Sequence, residues 1–268
     1  MKIYDLQGKV KAERKLPSQF QEPLRQDIIA RAVQVIHGNT RQPYGSAPDA
    51  GKRASAYVSK RRRDFRTTYG IGQSRTPRKV MSRSGTRMNW VGAFAPQTVG
   101  GRRAHPPKAE KIWSRKINKK ERRIAIRSAI AATISRSLVE TRGHRMPKEY
   151  PLGIDSKIED VSKAAELNTI LLSLGLEKEL ERTSARKIRA GKGKSRGRKY
   201  VNKVGPLIVV GNKCTLMQYG SNIPGVDIIS VESLNANLLA PGKTPGRLTI
   251  WSEKALDRME KEKLFTDK

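Results

Sequence analysis

The sequence predicts an α/β protein with an open, mostly parallel, doubly wound sheet and flanking helices, plus a long non-globular basic extension inserted after the first helix. Three observations support this prediction. In the last third of the chain, short apolar runs alternate with helical patterns, which is typical of a parallel sheet covered by helices. Helical periodicity flanks residues 41–116 on both sides. No leucine occurs between Leu24 and Leu138, so residues 41–116 lack the composition of a core.

The first predicted helix covers residues 24–36. Its apolar residues recur at intervals of three or four from Leu24 to Ile36, which places them on one helical face. Pro23 suits the first helical position, and Gly38 is expected to end the helix.

Two further helices are predicted after the insertion. Asn118, followed three residues later by a glutamate, is typical of a helix start, and apolar residues at i+4 spacing continue to a stop at Gly143. Ser156 and Glu159 form a second capping-box pattern, which predicts a helix over residues 161–174.

The remaining body alternates between strand and helix. Three short runs rich in β-branched residues predict strands at residues 207–210, 226–231 and 248–251. Helices are predicted between and after them, at residues 213–219, 234–239 and 253–263. This alternation is the basis for the parallel, doubly wound sheet.

The positive charge is concentrated in two segments. The chain has 56 Lys and Arg against 24 Asp and Glu, a formal net charge of +32. Residues 41–116 contribute +16 and residues 182–203 contribute +10, which leaves +6 for the rest of the chain. We therefore expect a near-neutral body with two basic appendages and a polyanionic partner.

The composition excludes several classes of protein. No run approaches the roughly 18 apolar residues of a membrane span, and the first residues lack the pattern of a signal peptide. Cys214 is the single cysteine, which excludes a disulfide framework within one chain. We expect a soluble, intracellular protein.

The insertion at residues 41–116 has the composition of a segment that folds on RNA. Its six Val and Ile residues cannot offset the chain entropy, so it should be disordered alone. It nevertheless holds seven of the fourteen aromatic residues, and its thirteen arginines outnumber its six lysines. Arginine and aromatic side chains suit phosphate pairing and base stacking, whereas a plain basic linker, the alternative, would be depleted in aromatics. The residues expected to bind RNA here are Arg41, Tyr44, Lys52, Arg53, Arg61, Arg62, Arg63, Arg66, Trp90, Arg102, Arg103, His105, Lys108 and Trp113.

The second basic segment, residues 182–203, has ten basic residues and no acid. Its glycines would let the backbone approach phosphate closely. A nuclear-localisation signal is the alternative interpretation of such a cluster. The residues expected to bind RNA are Arg189, Lys192, Lys194, Arg196, Arg198 and Lys199.

No catalytic or cofactor site is predicted. Gly70 and Gly72 lack the third glycine of a dinucleotide fingerprint, and residues 211–215 lack the leading glycine of a phosphate loop. The three histidines are too scattered for a metal motif. We therefore expect no enzyme activity, no metal and no cofactor.

Five sequence strings together resemble one family. In their order and spacing they resemble the fourth protein of the large ribosomal subunit, in its archaeal and eukaryotic branch, over nearly the whole chain. The strings are RQPYG at 41–45, GGRRAHPPK at 100–108, KINKKERR at 116–123, AIRSAIAATISR at 125–136 and RAGKGKSRGRKY at 189–200.

The resemblance implies a division of labour between two parts. Residues 1–40 and 117–268 would form the globular α/β domain, with the basic loop 182–203 within it, and residues 41–116 would thread into large-subunit RNA. The family's Gly-x-Gly-x-x-Arg pattern places the tip of the extension around residues 70–91, where it would help line the nascent-peptide exit tunnel. The residues expected at this tip are Gly70, Gly72, Gln73, Arg75, Arg78, Lys79, Arg83 and Arg87.

The resemblance also implies the partners. It predicts a cytoplasmic, structural constituent of the large ribosomal subunit, present once per ribosome, that binds large-subunit rRNA and supports assembly. Neighbouring large-subunit proteins and the nascent peptide would be further partners, with no membrane and no small-molecule substrate. Two other interpretations stay open: an RNA-modifying enzyme with an α/β cofactor-binding body and basic substrate-capturing arms, and a peripheral polyanion or membrane binder.

Overall fold

The computed structural model describes residues 1–63 and 67–266. The chain divides into two compact units. The first consists of residues 1–40 and 114–268, and the second of residues 41–113.

The strands and helices follow one another along the chain in mixed order. In the described residues the strands are β1 (Lys2–Tyr4), β2 (Val10–Glu13), β3 (Arg78–Ser84), β4 (Arg87–Gly92), β5 (Leu152–Ile154), β6 (Lys187–Ile188), β7 (Tyr200–Val201), β8 (Leu207–Val210), β9 (Asp227–Ser230) and β10 (Thr249–Ser252). The α-helices are α1 (Gln26–Asn39), α2 (Lys119–Ala132), α3 (Arg136–Thr141), α4 (Ala164–Ser173), α5 (Glu177–Ser184), α6 (Leu216–Tyr219), α7 (Ala236–Leu239) and α8 (Glu253–Lys261).

The first unit is built on a six-stranded sheet in the order β2-β1-β5-β10-β8-β9. β1 and β2 pair antiparallel, and every other neighbouring pair is parallel. The predicted mixed α/β class with a mostly parallel sheet is confirmed. The three strands predicted from β-branched runs correspond to β8, β9 and β10, whereas β1, β2 and β5 were not predicted.

Helices cover both faces of this sheet. All four residues of β8 are fully buried, and they alternate between two apolar clusters. Leu207 and Val209 pack in the cluster that includes α1, α2, α7 and α8, while Ile208 and Val210 pack in the cluster that includes α4. A strand that is buried on both sides reads as a continuous apolar run, which is why the sequence revealed it.

The first helix begins later than predicted. α1 starts at Gln26 and runs through Gly38, so Pro23 is not its first residue. The segment before it is held by Ser128 of α2, whose hydroxyl accepts from the Arg25 N–H at 2.7 Å and donates to the Pro23 carbonyl at 2.9 Å. A tertiary contact therefore sets the chain's entry into the helix, not the proline.

The predicted helix from Asn118 to Gly143 is two helices, α2 and α3, with a break at residues 133–135. The Tyr150 hydroxyl donates to the Thr133 carbonyl at this break, so that carbonyl already has a partner outside the helix. Asn118 stands at the N-cap position, but its side chain makes no capping hydrogen bond.

The predicted capping box at Ser156 and Glu159 is wrong. Residues 156–160 form a 3-10 turn, and α4 begins at Ala164. The Glu159 carboxylate instead accepts from the Gly211 N–H at 2.7 Å and from the Ser252 hydroxyl at 2.9 Å. It links the ends of two central strands, β8 and β10.

The second unit contains one antiparallel hairpin, β3–β4, between irregular segments. Among the described residues of 41–113, only Ser59 and Ala93 are buried. This part of the chain therefore has no apolar core of its own, as its composition indicated. No helix in the described residues is long and apolar enough to cross a membrane.

Candidate nucleic-acid interface

Three of the predicted RNA-binding residues pack against each other where the second unit begins and ends. We call Arg41, Tyr44, Lys111 and Trp113 the neck stack. The Arg41 guanidinium carbon lies 3.6 Å from the Trp113 ring centroid, and the Tyr44 ring stacks on Trp113 with centroids 5.9 Å apart. The Lys111 ammonium is 4.4 Å from the same centroid. Lys111 was not among the predicted residues, although a lysine two residues before a tryptophan could have indicated this contact.

One donor in the neck stack is unsatisfied. The Trp113 indole Nε1 is buried and has no hydrogen-bond partner within the described chain. Buried donors are normally paired, so this N–H is available to an acceptor from a bound molecule.

The hairpin β3–β4 combines cations with exposed apolar side chains. Arg83 and Arg87 are exposed, and Arg78 and Lys79 are half-buried. Apolar side chains are exposed on the same strands, with Met81 63% exposed; the others are Val80, Trp90 and Val91. Such a surface is typical of a segment that is enclosed by a partner.

The segment before the hairpin holds the rest of the predicted tip. Gly70 and Gly72 have φ of 79° and 67°, in the left-handed region that favours glycine. Gln73 is exposed, and Arg75 lies over the Tyr69 ring and donates to its hydroxyl at 3.2 Å. Of the predicted RNA contacts, Arg66 lies outside the described residues.

The basic side chains of the second unit are not neutralised within it. No lysine or arginine in residues 41–63 and 67–113 forms an ion pair. Arg102 is half-buried, and the other predicted contacts away from the neck stack and hairpin are exposed; these are Lys52, Arg53, Arg61, Arg62, Arg63, Arg103, His105 and Lys108. The first unit differs, since its arginines commonly pair with carboxylates, as Arg127 does with Glu22 at 2.8 Å.

The second basic segment forms a short hairpin in the first unit, which we call the basic hairpin (residues 186–201). β6 and β7 pair antiparallel, and a 3-10 turn follows Gly191. Arg189 is turned inward along this hairpin, where its guanidinium donates to the carbonyls of Arg198 at 3.0 Å and Tyr200 at 3.3 Å. The other predicted contacts are exposed; they are Lys192, Lys194, Arg196, Arg198 and Lys199.

A buried ionic cluster anchors the base of the basic hairpin. The fully buried Glu179 carboxylate accepts from Arg182 at 2.6 and 2.8 Å, from His144 Nδ1 at 2.6 Å and from the Arg145 N–H at 2.9 Å. Arg182, which precedes the basic hairpin, also donates to the carbonyl of Val204, which follows it, at 2.7 Å. One side chain therefore connects the chain segments on the two sides of the hairpin. Sequence reasoning placed Arg182 in the basic segment but missed Glu179 and His144, because their proximity arises only from folding.

The cluster shifts the pKa values of its members. Burial by itself would raise the pKa of Glu179, but the hydrogen bonds from Arg182 and His144 outweigh it and lower the pKa to about 2. Burial lowers the pKa of His144, and the Glu179 carboxylate offsets part of that effect. The cluster is therefore an ionised Glu179–Arg182 pair beside a neutral imidazole.

The described residues hold no group of three or more His, Cys, Asp or Glu side chains that could bind a metal ion. Cys214 is half-buried, and burial raises the pKa of its thiol, which disfavours the reactive thiolate. The arrangement of the chain can bind polyanions through exposed cations, aromatic faces and backbone donors.

The sequence is similar to known proteins along nearly its whole length. The ribosomal protein L4/L1 family model matches residues 14–262. Large ribosomal subunit protein uL4 of Nanoarchaeum equitans is 51% identical over 264 residues, which cover 98% of this chain and 98% of that protein. The uL4 proteins of Methanococcoides burtonii and Methanosphaera stadtmanae are 45% and 43% identical, each over 96% of this chain and over 96% and 95% of their own lengths. The similarity extends across both units.

Proposed function

Because the chain belongs to the ribosomal protein L4/L1 family, we propose that it is a structural constituent of the large subunit of cytoplasmic ribosomes. It binds large-subunit rRNA and supports assembly of the subunit. The family is structural, so the chain is not an enzyme, and the alternative of an RNA-modifying enzyme is set aside.

The single observation that carries this proposal is the unneutralised charge of the second unit. Sixteen basic residues lie in residues 41–63 and 67–113, and none of them forms an ion pair there. Like charges at this density repel one another unless anions lie between them. The phosphates of a folded RNA supply those anions from several sides at once.

The aromatic side chains and the missing core support the same function. A segment with only two buried residues among those described gains little from folding alone, so its ordering energy must come from a partner. The exposed Trp90 can stack on an unpaired base, and the unsatisfied Trp113 Nε1 can donate to an RNA acceptor. Residues 41–116 then act as an extension that penetrates the rRNA, while residues 1–40 and 117–268 form the globular domain.

The basic hairpin supplies a second rRNA contact. Its exposed cations project from a scaffold that Arg189 and Arg182 brace, so they are held in place before RNA binds. Pre-ordered cations lose less entropy on binding than flexible ones. A nuclear-localisation role needs no such bracing.

The hairpin β3–β4 and the preceding glycines form the tip of the extension at residues 70–91. We assign it to the wall of the nascent-peptide exit tunnel, with the nascent peptide as its transient partner and neighbouring large-subunit proteins nearby. Its exposed mixture of cations and apolar side chains suits a surface that meets RNA on one side and passing peptides on the other. One copy per ribosome follows from a single tunnel.

Binding of purified large-subunit rRNA to matched variants tests the proposal. The triple variant K52Q/R53Q/R103Q removes three exposed cations from the second unit, and K157Q/K178Q/K261Q removes three exposed cations from the first. Each lost phosphate contact should reduce the log–log salt slope by roughly 0.7 to 0.9. We expect the second-unit variant to lose at least tenfold in affinity and the control to change little. Equal losses would show that only total charge matters and would contradict the proposal.

The tunnel assignment has its own test. A photoreactive residue at position 83 or 87, incorporated into ribosomes with stalled nascent chains, should cross-link to the nascent peptide. The same residue at position 157 should not. Absence of cross-links from both tip positions would contradict the assignment of the tip and leave rRNA binding unaffected.

A further inference from the structure

A cavity of about 440 Å³ lies in the first unit beside the base of the basic hairpin. It is bordered by the end of α3, the end of α5, the segment after β7 and the segment before β10. The lining residues are Thr141, Arg142, His144, Arg182, Lys203, Val204 and Thr244.

The charges around this cavity do not balance. Arg142, Arg182 and Lys203 line it, and the nearby carboxylate, Glu179, is already engaged by Arg182 and His144. In the described part of the chain Lys203 forms no ion pair. Three cations against one carboxylate leave a local excess of two positive charges.

Arg142 is the least compensated of these cations. Its guanidinium donates to two backbone carbonyls, Pro241 at 2.6 Å and Thr244, and to no carboxylate among the described residues. Burial lowers its pKa, and the neighbouring charges of Arg247 and Arg182 lower it further. A partly buried cation with cationic neighbours is stabilised by an anion placed against it.

The remaining lining groups suit an oxyanion. Thr244 makes no side-chain hydrogen bond among the described residues, so its hydroxyl is free to donate. His144 gives its Nδ1 to Glu179 at 2.6 Å, and its Nε2 has no described partner. Protonation at Nε2 would add another donor when an anion enters.

We propose that this cavity binds a phosphate group, with Arg142 and Lys203 as its main charged contacts and Arg182 held in position by Glu179. An arginine offers planar paired donors and a lysine a point charge, which together suit tetrahedral oxyanions. This inference rests on the proposed function in one respect only, since the RNA backbone is the expected source of the phosphate. Sequence reasoning did not find the site, because its cations come from three separate segments of the chain.

NMR of selectively labelled histidines in the full-length protein reports on the cavity directly, because His144 lines it and the many lysines and arginines give no signal. Selective labelling gives three imidazole signals, and the exposed His37, which lies outside the predicted RNA contacts, serves as the internal control. The probes are inorganic phosphate and dimethyl phosphate, a diester, each titrated at constant ionic strength against chloride. We expect a saturable shift of the His144 signal toward its protonated position, with His37 unchanged.

Matched variants assign the shift to the cavity. Arg142→Gln should weaken the response at least tenfold, whereas Arg122→Gln, at an exposed arginine outside the cavity and outside the basic hairpin, should leave it unchanged. Lys203→Gln, at an exposed position, is a second cavity variant that tests the same contact if Arg142→Gln unfolds the protein.

The outcomes separate the sources of phosphate. A response to both probes supports an RNA phosphodiester as the ligand, and a response to inorganic phosphate alone supports a free or terminal phosphate. No saturable His144 shift, or equal weakening by Arg142→Gln and Arg122→Gln, overturns the proposal. If the full chain binds rRNA with normal affinity but the His144 signal does not shift with phosphate, this site is rejected and the proposed function is unaffected.

Discussion

The Arg41 guanidinium carbon lies 3.6 Å from the centroid of the Trp113 indole, so the first and last residues of the second unit are in contact. Next to them in the chain, the Asn39 side-chain oxygen accepts from the Arg115 N–H at 2.9 Å. These two contacts bring together chain segments that are distant in the sequence. The closure entropy of such a long loop is therefore offset in part by a few side chains at its base.

Replacing Trp113 with leucine should loosen the base of the second unit. The change removes the cation–π contacts with Arg41 and Lys111, each worth about 0.5–1 kcal/mol at an exposed site. We expect roughly five- to tenfold faster hydrogen exchange at the Ser46 amide, which donates to the Pro107 carbonyl at 3.0 Å. Trp90→Leu, on the hairpin β3–β4, is the control and should leave that amide unchanged. Equal exchange in both variants would show that the neck stack does not close the loop.

Glu179→Gln should strongly destabilise the first unit. It leaves the Arg182 guanidinium and the buried His144 without their carboxylate, and breaking a buried pair costs about 3 kcal/mol or more. Urea unfolding measures the loss, with Glu177→Gln, exposed on the same helix, as the control. The double variant Glu179→Gln/Arg182→Gln should recover part of the loss, since it removes the uncompensated cation. A single variant as stable as the control would show that the pair contributes nothing.

Acid should destabilise the protein through the same cluster. The folded-state pKa of Glu179 is about 2, below its ordinary value of 4.5, so its contribution is complete above pH 4.5 and is lost as the pH falls toward 2. The pKa of His144 is also lowered in the folded state, so protonation favours unfolding as the pH drops below 6.5. The urea midpoint should therefore fall steadily between pH 7 and pH 3. In Glu179→Gln the urea midpoint should fall less steeply below pH 4.5. An unchanged pH dependence of the midpoint in that variant would assign the acid sensitivity to other groups.

Ser128→Ala should lower the free energy of unfolding, although serine side chains usually contribute little to the stability of a core. Its buried hydroxyl bonds both the Arg25 N–H and the Pro23 carbonyl, and a typical hydrogen bond contributes about 0.5–1.5 kcal/mol. We expect a loss of about 1–3 kcal/mol in the free energy of unfolding. Ser184→Ala, at an exposed position, should cost far less. A loss no larger than that of the control would mean that water replaces the hydroxyl.

Some elements were predictable because their signal is local. The buried strand β8 is a continuous apolar run, β10 overlaps the short run Leu248–Trp251, and α1, α2 and α4 carry one-sided apolar periodicity. The strands β1 and β5 have only three residues each, and all four residues of β2 are exposed, so no pattern distinguishes them from loops. β1 and β5 become strands because they pair with each other, although they lie far apart along the chain.

The polar contacts were less predictable than the elements. Glu159 matches a local capping pattern, yet it accepts from Gly211 and Ser252, which are 52 and 93 residues away. Arg41, Tyr44 and Trp113 were identified as RNA-binding by type, but their stacking on one another became visible only in the structure. Their role on RNA remains a prediction.

By itself, the sequence determined the α/β class, the location of the charge and the family, because composition, apolar periodicity and long motifs are properties of neighbouring residues. Only the tertiary structure decided the order of the sheet, the anchoring of the basic hairpin by Glu179 and Arg182, and the cationic cavity around Arg142. These depend on residues that are distant in the chain and that meet only when the sheet buries both of its faces. The charge of +32 indicated a polyanion from the start, and the fold showed which cations lack a partner within the described part of the protein.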